Sequence, residues 1–532
     1  ALYLDSLTGK LYFWDPRQGF SGAWVTVNFE ALKSNSLVAC SVTGQVLQSQ
    51  FKDGFLVVGP TGLGFLCATP PDNSTSGGRC RGINTVDWQI KRTSPYQIAA
   101  GDYCVIGGGA NNLVTGSHSV ILGGKDNRLY GNHCVLVGGY SHRILGDVDT
   151  IGGGKYAQIV GNNSSILGGS YNVIRSDDSL IGAGKKNIIR GPNSTIVGGS
   201  CNSVMSVPGT FIGGGIRHLI TGGSYSTIVA GKNNYINGTG AFIGGGFRHS
   251  INGALSTIVG GSSNTCSNTG AFIAGFRKNI ISRRASSVLG GEFNKVYGSH
   301  SCIGGGFDNM IQPNASYSAI VGGYLNRSDA YATFLGSGSF NRIATGSDFA
   351  MICGGRSNLA QYTYATVVNG YGNTAGGNFN FIGTGYSNSG TSNSAVTTQS
   401  GTMNGTTAVT LSGSNAAIKV GQYVSGTSIA GNTYVAAISG TSLTLSQAAS
   451  GSSTSTLSFY TPHGVVVGGG NNQATGSYSF IGGGGDAGTA SNRNVASNDY
   501  AVVVGGRTNT ASGIASFVGG VVTYITNALF HK

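Results

Sequence analysis

Residues able to do chemistry are scarce in this chain. It carries 31 Lys and Arg against 18 Asp and Glu, and only Glu30 and Glu292 are glutamates. Glycoside cleavage needs two placed carboxylates. The one adjacent pair, Asp177-Asp178, reads instead as a solvated turn. No G-x-S-x-G stands in a strand-turn-helix context, and no G-x-x-x-x-G-K-[ST] precedes a helical pattern. The nine cysteines show no C-x-x-C or C-x-x-H spacing, so they read as buried free thiols and not as a zinc site. Asp does not recur in the register a calcium β-roll requires. The sequence therefore assigns no catalytic residue, no cofactor and no metal, and the chain is not expected to be an enzyme.

The cations form the one chemical pattern. Residues 104–394 hold nineteen Lys or Arg, and fifteen of these fall at positions 7 to 10 of a fifteen-residue period, against three acidic residues there. The set includes Lys125, Arg128, Arg143, Lys185, Lys186, Arg217, Lys232, Arg248, Arg277, Lys278, Arg327 and Arg342, with His218 and His249 next to Arg217 and Arg248. Stacked at about 4.8 Å per coil, they would form a cationic ridge roughly 90 Å long. Two readings stay open. The ridge could grip an anionic glycan or lipopolysaccharide, or it could be a solvated face that blocks edge pairing. Nucleic acid is not expected as a partner. Aromatics near the same corners (Tyr140, Tyr171, Phe276, Phe307, Tyr324, Phe340) read as corner covers.

The element that must position these residues is a repeat. From Cys104 the chain reads CVIGGGANNLVTGSH, SVILGGKDNRLYGNH, CVLVGGYSHRILGDV. Nineteen such blocks run to Ser394, with two-residue insertions read before Ser226, Ser318 and Ala350, and looser blocks lie near Gly464, Ser479, Ala501 and Ser516. Position 3 is large and apolar, position 6 is Gly in all but one block, where Phe276 stands, position 9 is usually Asn and position 11 is usually aliphatic. Fifteen residues cannot hold two strands and a helix. Each block is therefore one coil of strand, corner, strand and corner, with positions 3 and 11 inward. Asn is read as a turn residue that tolerates the left-handed conformation, or as a stacked amide ladder.

Blocks also alternate in type, giving a thirty-residue double repeat. Positions 2 and 4 point away from position 3, and their volumes are complementary. Phe242 goes with Gly244, Phe272 with Ala274, Phe334 with Gly336 and Phe381 with Gly383, whereas small Thr195, Thr227 and Thr257 go with Val197, Val229 and Val259. Packed faces tolerate neither voids nor overfilling. The outward face is therefore expected to be buried against neighbouring chains, with a second wall of the same coil as the alternative.

Blocks of the form S-x-I-x-G-G-x-x-N-x-I-x-G resemble the head repeats of trimeric autotransporter adhesins, the YadA-like left-handed parallel β-roll, and related repeats in bacteriophage tail fibres. The resemblance covers about residues 104–394 and 464–520. It implies a homotrimeric all-β fibre that attaches to a surface. A virion tail appendage, joined to other tail proteins and bound to host-surface glycan or lipopolysaccharide, is the first expectation. A bacterial cell-surface adhesin head and a polysaccharide-degrading tailspike are the alternatives.

Around the shaft at 104–394 the sequence divides further. Residues 1–30 carry a hairpin pattern with Thr8-Gly9 at the turn and Trp14 and Trp24 as anchors. Residues 31–103 read as a small β domain or a solenoid cap. Residues 395–463 lack the period and read as an inserted β domain, and 464–532 as further coils. No run of 18 apolar residues occurs, so no membrane span is expected.

Overall fold

Two short strands and two corners fit within fifteen residues, and in the computed structural model each period forms one such coil. The chain is all-β, a parallel β-solenoid of about 28 turns. The structure describes strands Leu2–Asp5, Lys10–Asp15, Ala23–Thr26, Val46–Leu47 and Phe55–Val58. Beyond these it describes residues 64–69, 71–390, 395, 397–418, 422–431, 433–460, 464–474, 476, 478–520 and 524–525. The chain forms two compact units, Ala1–Tyr171 and Asn172–Lys532.

In the first unit, Leu2–Asp5 and Ala23–Thr26 flank Lys10–Asp15 in antiparallel pairing, which sets Trp14 opposite Trp24. The expected turn at Thr8-Gly9 lies outside the described residues. Gly64–Cys67 pairs parallel with Thr85–Asp87, which pairs with Val105–Ile106. The ladder thus starts ahead of Cys104, inside the stretch read as a small domain or cap. Its inward residue opposite Ile106 is Asp87. The Asp87 carboxylate is buried between Arg81 and Arg92, at 3.0 and 3.1 Å. These guanidinium groups also donate to the carbonyls of Gly77, Arg79, Ser76, Gln89 and Gln97. A buried ion pair persists only where such further acceptors are supplied. The 71–80 loop supplies several of them, and the polar plug replaces an aliphatic rung.

From Cys104 the coils stack in register. Ile106, Ile121, Leu136, Ile151 and Ile166 form one buried column. Val114, Leu129, Ile144 and Ile159 form the second. Each such side chain contributes about 1.5–3 kcal/mol on burial. Position 6 is a tight corner. Gly124 has φ +92°, and a Cβ there would strike the carbonyl of Gly139 one coil on. Glycine is needed for both the angle and the space.

The second unit repeats this coil. Single-residue insertions fall before Thr210 and before Ser226, because Ile196, Ile212 and Ile228 pair at sixteen-residue steps. This corrects the single two-residue insertion read at Ser226. The steps before Ser318 and Ala350 are two residues longer than the repeat, as read. The looser blocks join the same ladder, with Val465 pairing Phe381 and followed by Phe480, Val502 and Phe517. Between the coils of Ile382 and Val466 the chain leaves the ladder to build a six-stranded antiparallel sheet. Its strands run in the order Tyr423–Ser425, Ser452–Tyr460, Thr397–Asn404, Ala408–Leu411, Ser442–Leu445 and Val435–Ser439. Met403, Val409, Leu443, Leu457 and Phe459 form its own core. Among the described residues no helix is long and apolar enough to cross a membrane.

Candidate functional site on the coil corners and outer face

Position 9 points inward, not into the turn. Asn187 shows the pattern. Its Oδ1 accepts the backbone N–H of Asn202 at 3.1 Å, and its Nδ2 donates to the carbonyls of Ala183 and Gly199, each at 3.1 Å. The same bonds recur at Asn234, Asn294, Asn326 and Asn358. The ladder runs from side chain to backbone and ties each coil to the next. The left-handed residue is its neighbour at position 8, where Lys186, Arg217, Arg248 and Lys278 have φ between 52° and 57°.

His218 and His249 belong to this buried ladder, which corrects their assignment to the surface ridge. Both are 1% exposed. Nδ1 of His218 accepts the N–H of Asn234, and Nδ1 of His249 that of Asn264, each at 3.2 Å. In the first unit His142 does the same for Ala157 at 3.0 Å. Imidazole can replace the amide because it carries one acceptor and one donor. Burial pushes all three histidines below the usual imidazole pKa, so they stand neutral. Their Nε2 atoms are buried without a well-formed hydrogen bond. Alignment with the asparagine column was the sequence signal for this role.

With position 9 inward, the expected ridge splits into two lines. One follows positions 7 and 8 at the corner, and the other follows position 10 on the outward side of the second strand. In the first unit, Lys125 lies at position 7, 4.0 Å from Asp126. Arg128 and Arg143 lie at position 10 as register partners, with Arg143 over the Tyr130 ring. In the second unit, Arg327 and Arg342 are register partners that share the buried carboxylate of Asp329. Arg277 pairs with Glu292 at 2.9 Å. By contrast Lys185, Lys186, Arg217 and Lys232 are exposed and make no ion pair among the described residues. Arg248 lies over the Phe247 ring at 4.8 Å. Between Asp178 and Glu292 the sequence has no acidic residue.

Corner aromatics pack on one another. Tyr156 stacks on Tyr171 at 4.7 Å, and Tyr140 meets Tyr156 edge-on. Phe307 stacks on Tyr324, which meets Phe340 edge-on. At the other corner Phe349, Tyr364 and Phe379 stack in turn, and Phe379 meets Tyr434 of the inserted sheet. Phe276 stands apart, 74% exposed.

The outward face of the first strand is open in the single chain. Phe242, Phe272, Phe334 and Phe381 are 37–40% exposed, and Val197, Val229 and Val259 are 42–50% exposed. They do not pack on a second wall of their own coil. In register, Phe211 lies between Thr195 and Thr227, and Phe242 between Thr227 and Thr257. Each ring leans over the small residue two positions on, as a Cβ added to Gly244 would lie 3.4 Å from Cε1 of Phe242. The volume exchange seen in the sequence leaves exposed apolar side chains on every coil of this stretch, Phe at position 2 of one coil and Val at position 4 of the next.

Two deeply buried cysteine thiols are poor nucleophiles. Burial pushes Cys134 up to about 11 and Cys266 to about 12. Cys80 is disulfide-bonded, against the reading of all nine as free thiols. No known family model matches the chain, and a search of curated proteins found no match either.

Proposed function

We propose that the chain is a non-catalytic subunit of a homotrimeric surface fibre, a virion tail appendage that attaches to an anionic host-surface glycan. The observation that carries this reading is the open apolar strip at positions 2 and 4. Contiguous exposed apolar surface marks an interaction site. This strip repeats with a two-coil beat, so a partner meshes along its length only if it has the same beat. Another copy of the chain does. Three-fold closure buries one such face per chain around an axis, and the resemblance to trimeric adhesin heads and tail fibres supports three copies. The free cations on the corner support an anionic partner, because like charges along an edge raise the local concentration of polyanions.

Light scattering and electron microscopy of the purified chain test this reading. Three times the 53.9 kDa chain mass and rod-shaped particles are expected. A single-chain mass in dilute neutral buffer would refute it.

A further inference from the structure

Over seven successive coils of the second unit, within residues 186–278, position 8 carries a cation on every second coil: Lys186, Arg217, Arg248 and Lys278, separated by uncharged Cys201, Asn233 and Ser263; beyond them the slot holds Phe293 and Asp308. Position 7 adds Lys185, Lys232 and Arg277, the last paired with Glu292. Parallel bridges from Lys185 to Arg277 hold these coils in step. Position-8 backbones are held too. The N–H groups of Arg217, Arg248 and Lys278 donate to the position-7 carbonyls of Ser200, Lys232 and Ser262 in the preceding coil, at 2.9–3.0 Å. Left-handed backbone costs a long side chain about 1–2 kcal/mol. The coil accepts cheaper residues at this site, since Asn233 and Gly372 occupy it elsewhere. Folding alone therefore gives no reason for cations on alternate coils.

We infer that this corner binds a linear acidic polysaccharide running along the solenoid axis, with one acidic sugar in every two. The inference rests on the surface-attachment reading and narrows it to a ligand class and a segment. Charge spacing decides between polymers. Two coils advance about 10 Å, so successive cations on the line stand about 10 Å apart. A nucleic acid strand presents one charge per roughly 3.4 Å, about three for each cation. A glycan of alternating acidic and neutral sugars presents a charge at each long step. The cations lie within about one Debye length of each other at 0.1 M salt, so their fields reinforce along the line. Between Asp178 and Glu292 no carboxylate competes.

The test is equilibrium binding of the full chain to hyaluronan and unsulfated chondroitin, which carry a carboxylate on every second sugar, with neutral dextran and a thymidine oligonucleotide alongside. Wild-type protein is expected to bind the acidic glycans in a salt-dependent way and to ignore dextran. The variant K186N/R217N/R248N/K278N keeps a residue suited to left-handed backbone. It is expected to lose about tenfold or more in affinity and to show a flatter salt dependence, with its thermal unfolding no lower. The variant R283N/R284N, at the other corner, is expected to bind as wild type does. Equal binding by the fourfold variant, no binding by wild type, or tighter binding of the oligonucleotide would each overturn the inference. Light scattering on the same samples keeps the two ideas apart. Retained glycan binding by a single-chain species would sink the fibre reading and leave this one standing.

Discussion

A side chain at position 9 faces one backbone N–H to accept and carbonyls to donate to while fully buried. Asn does both with one planar group, whereas His makes only the acceptor bond, and only while neutral. The Asn preference was legible in the sequence, but its direction was not, because Asn also suits a left-handed turn. In the structure position 9 is the inward rung, and the left-handed backbone falls one residue earlier, at position 8, on residues as different as Lys186, Tyr171, Ser263 and Asn233. A pH dependence follows from this. His142, His218 and His249 have folded pKa values lowered by burial. Above about 6.5 they are neutral in folded and unfolded chains alike. As pH falls below that value the unfolded chain takes up protons that the folded coils refuse, so stability is lost progressively down to the depressed pKa. The variant H142N/H218N/H249N restores the amide rung. Thermal melts at pH 7.5 and pH 5 are expected to show a larger drop for wild type than for the variant. Equal drops would show that these rings do not govern acid lability.

At the scale of the coil, the period itself carried most of the information. The pattern alone turns positions 3 and 11 inward, and both columns are fully buried. The phase shift ahead of Ser226 is hidden in the sequence because a single-residue insertion before Thr210 still leaves Phe211, also large and apolar, at the position 3 slot. Hydrophobicity alone could not choose between Phe211 and Ile212; the buried column takes Ile212. The inserted sheet was visible as a loss of period, and its seam agrees with the pairing. Phe381 and Val465 are register partners 84 residues apart. That distance is one fifteen-residue step plus the 69 residues of 395–463. A chain lacking 395–463 should therefore resume the repeat with Gly464 in the position 1 slot. It is expected to fold with an unchanged β-sheet circular dichroism signal per coil residue and a cooperative melt. Aggregation, or a melting temperature lowered by more than about 10 °C, would show that the sheet supports the ladder through the packing of Phe379 against Tyr434.

At the scale of the whole molecule, the outward strip is the feature a single chain leaves unexplained. Its complementarity was readable from Phe242 with Gly244 and Thr257 with Val259. What the sequence could not show was whether that exchange served a second wall or open surface. The exposure of Val229 at 42% and Phe242 at 38% decides for open surface. Substituting residues here separates assembly from folding in a way that core changes cannot. Ile243→Ala removes a buried side chain and would cost about 2–5 kcal/mol within the coil, lowering stability whether or not chains associate. Val229→Asp and Val259→Asp place charge on side chains that already face outward on alternate coils, one on each side of the Phe242 coil. A lone coil meets those carboxylates in water and loses little. An assembly must desolvate them against apolar partners, at several kcal/mol each. The double variant is therefore expected to run at the mass of one chain, 53.9 kDa, with its β signal intact. Lys substitutions at the same two sites should act alike, whereas Val229→Ile and Val259→Ile should leave the oligomer whole. A double Asp variant that kept the wild-type mass would place the subunit interface on some other face of the coil.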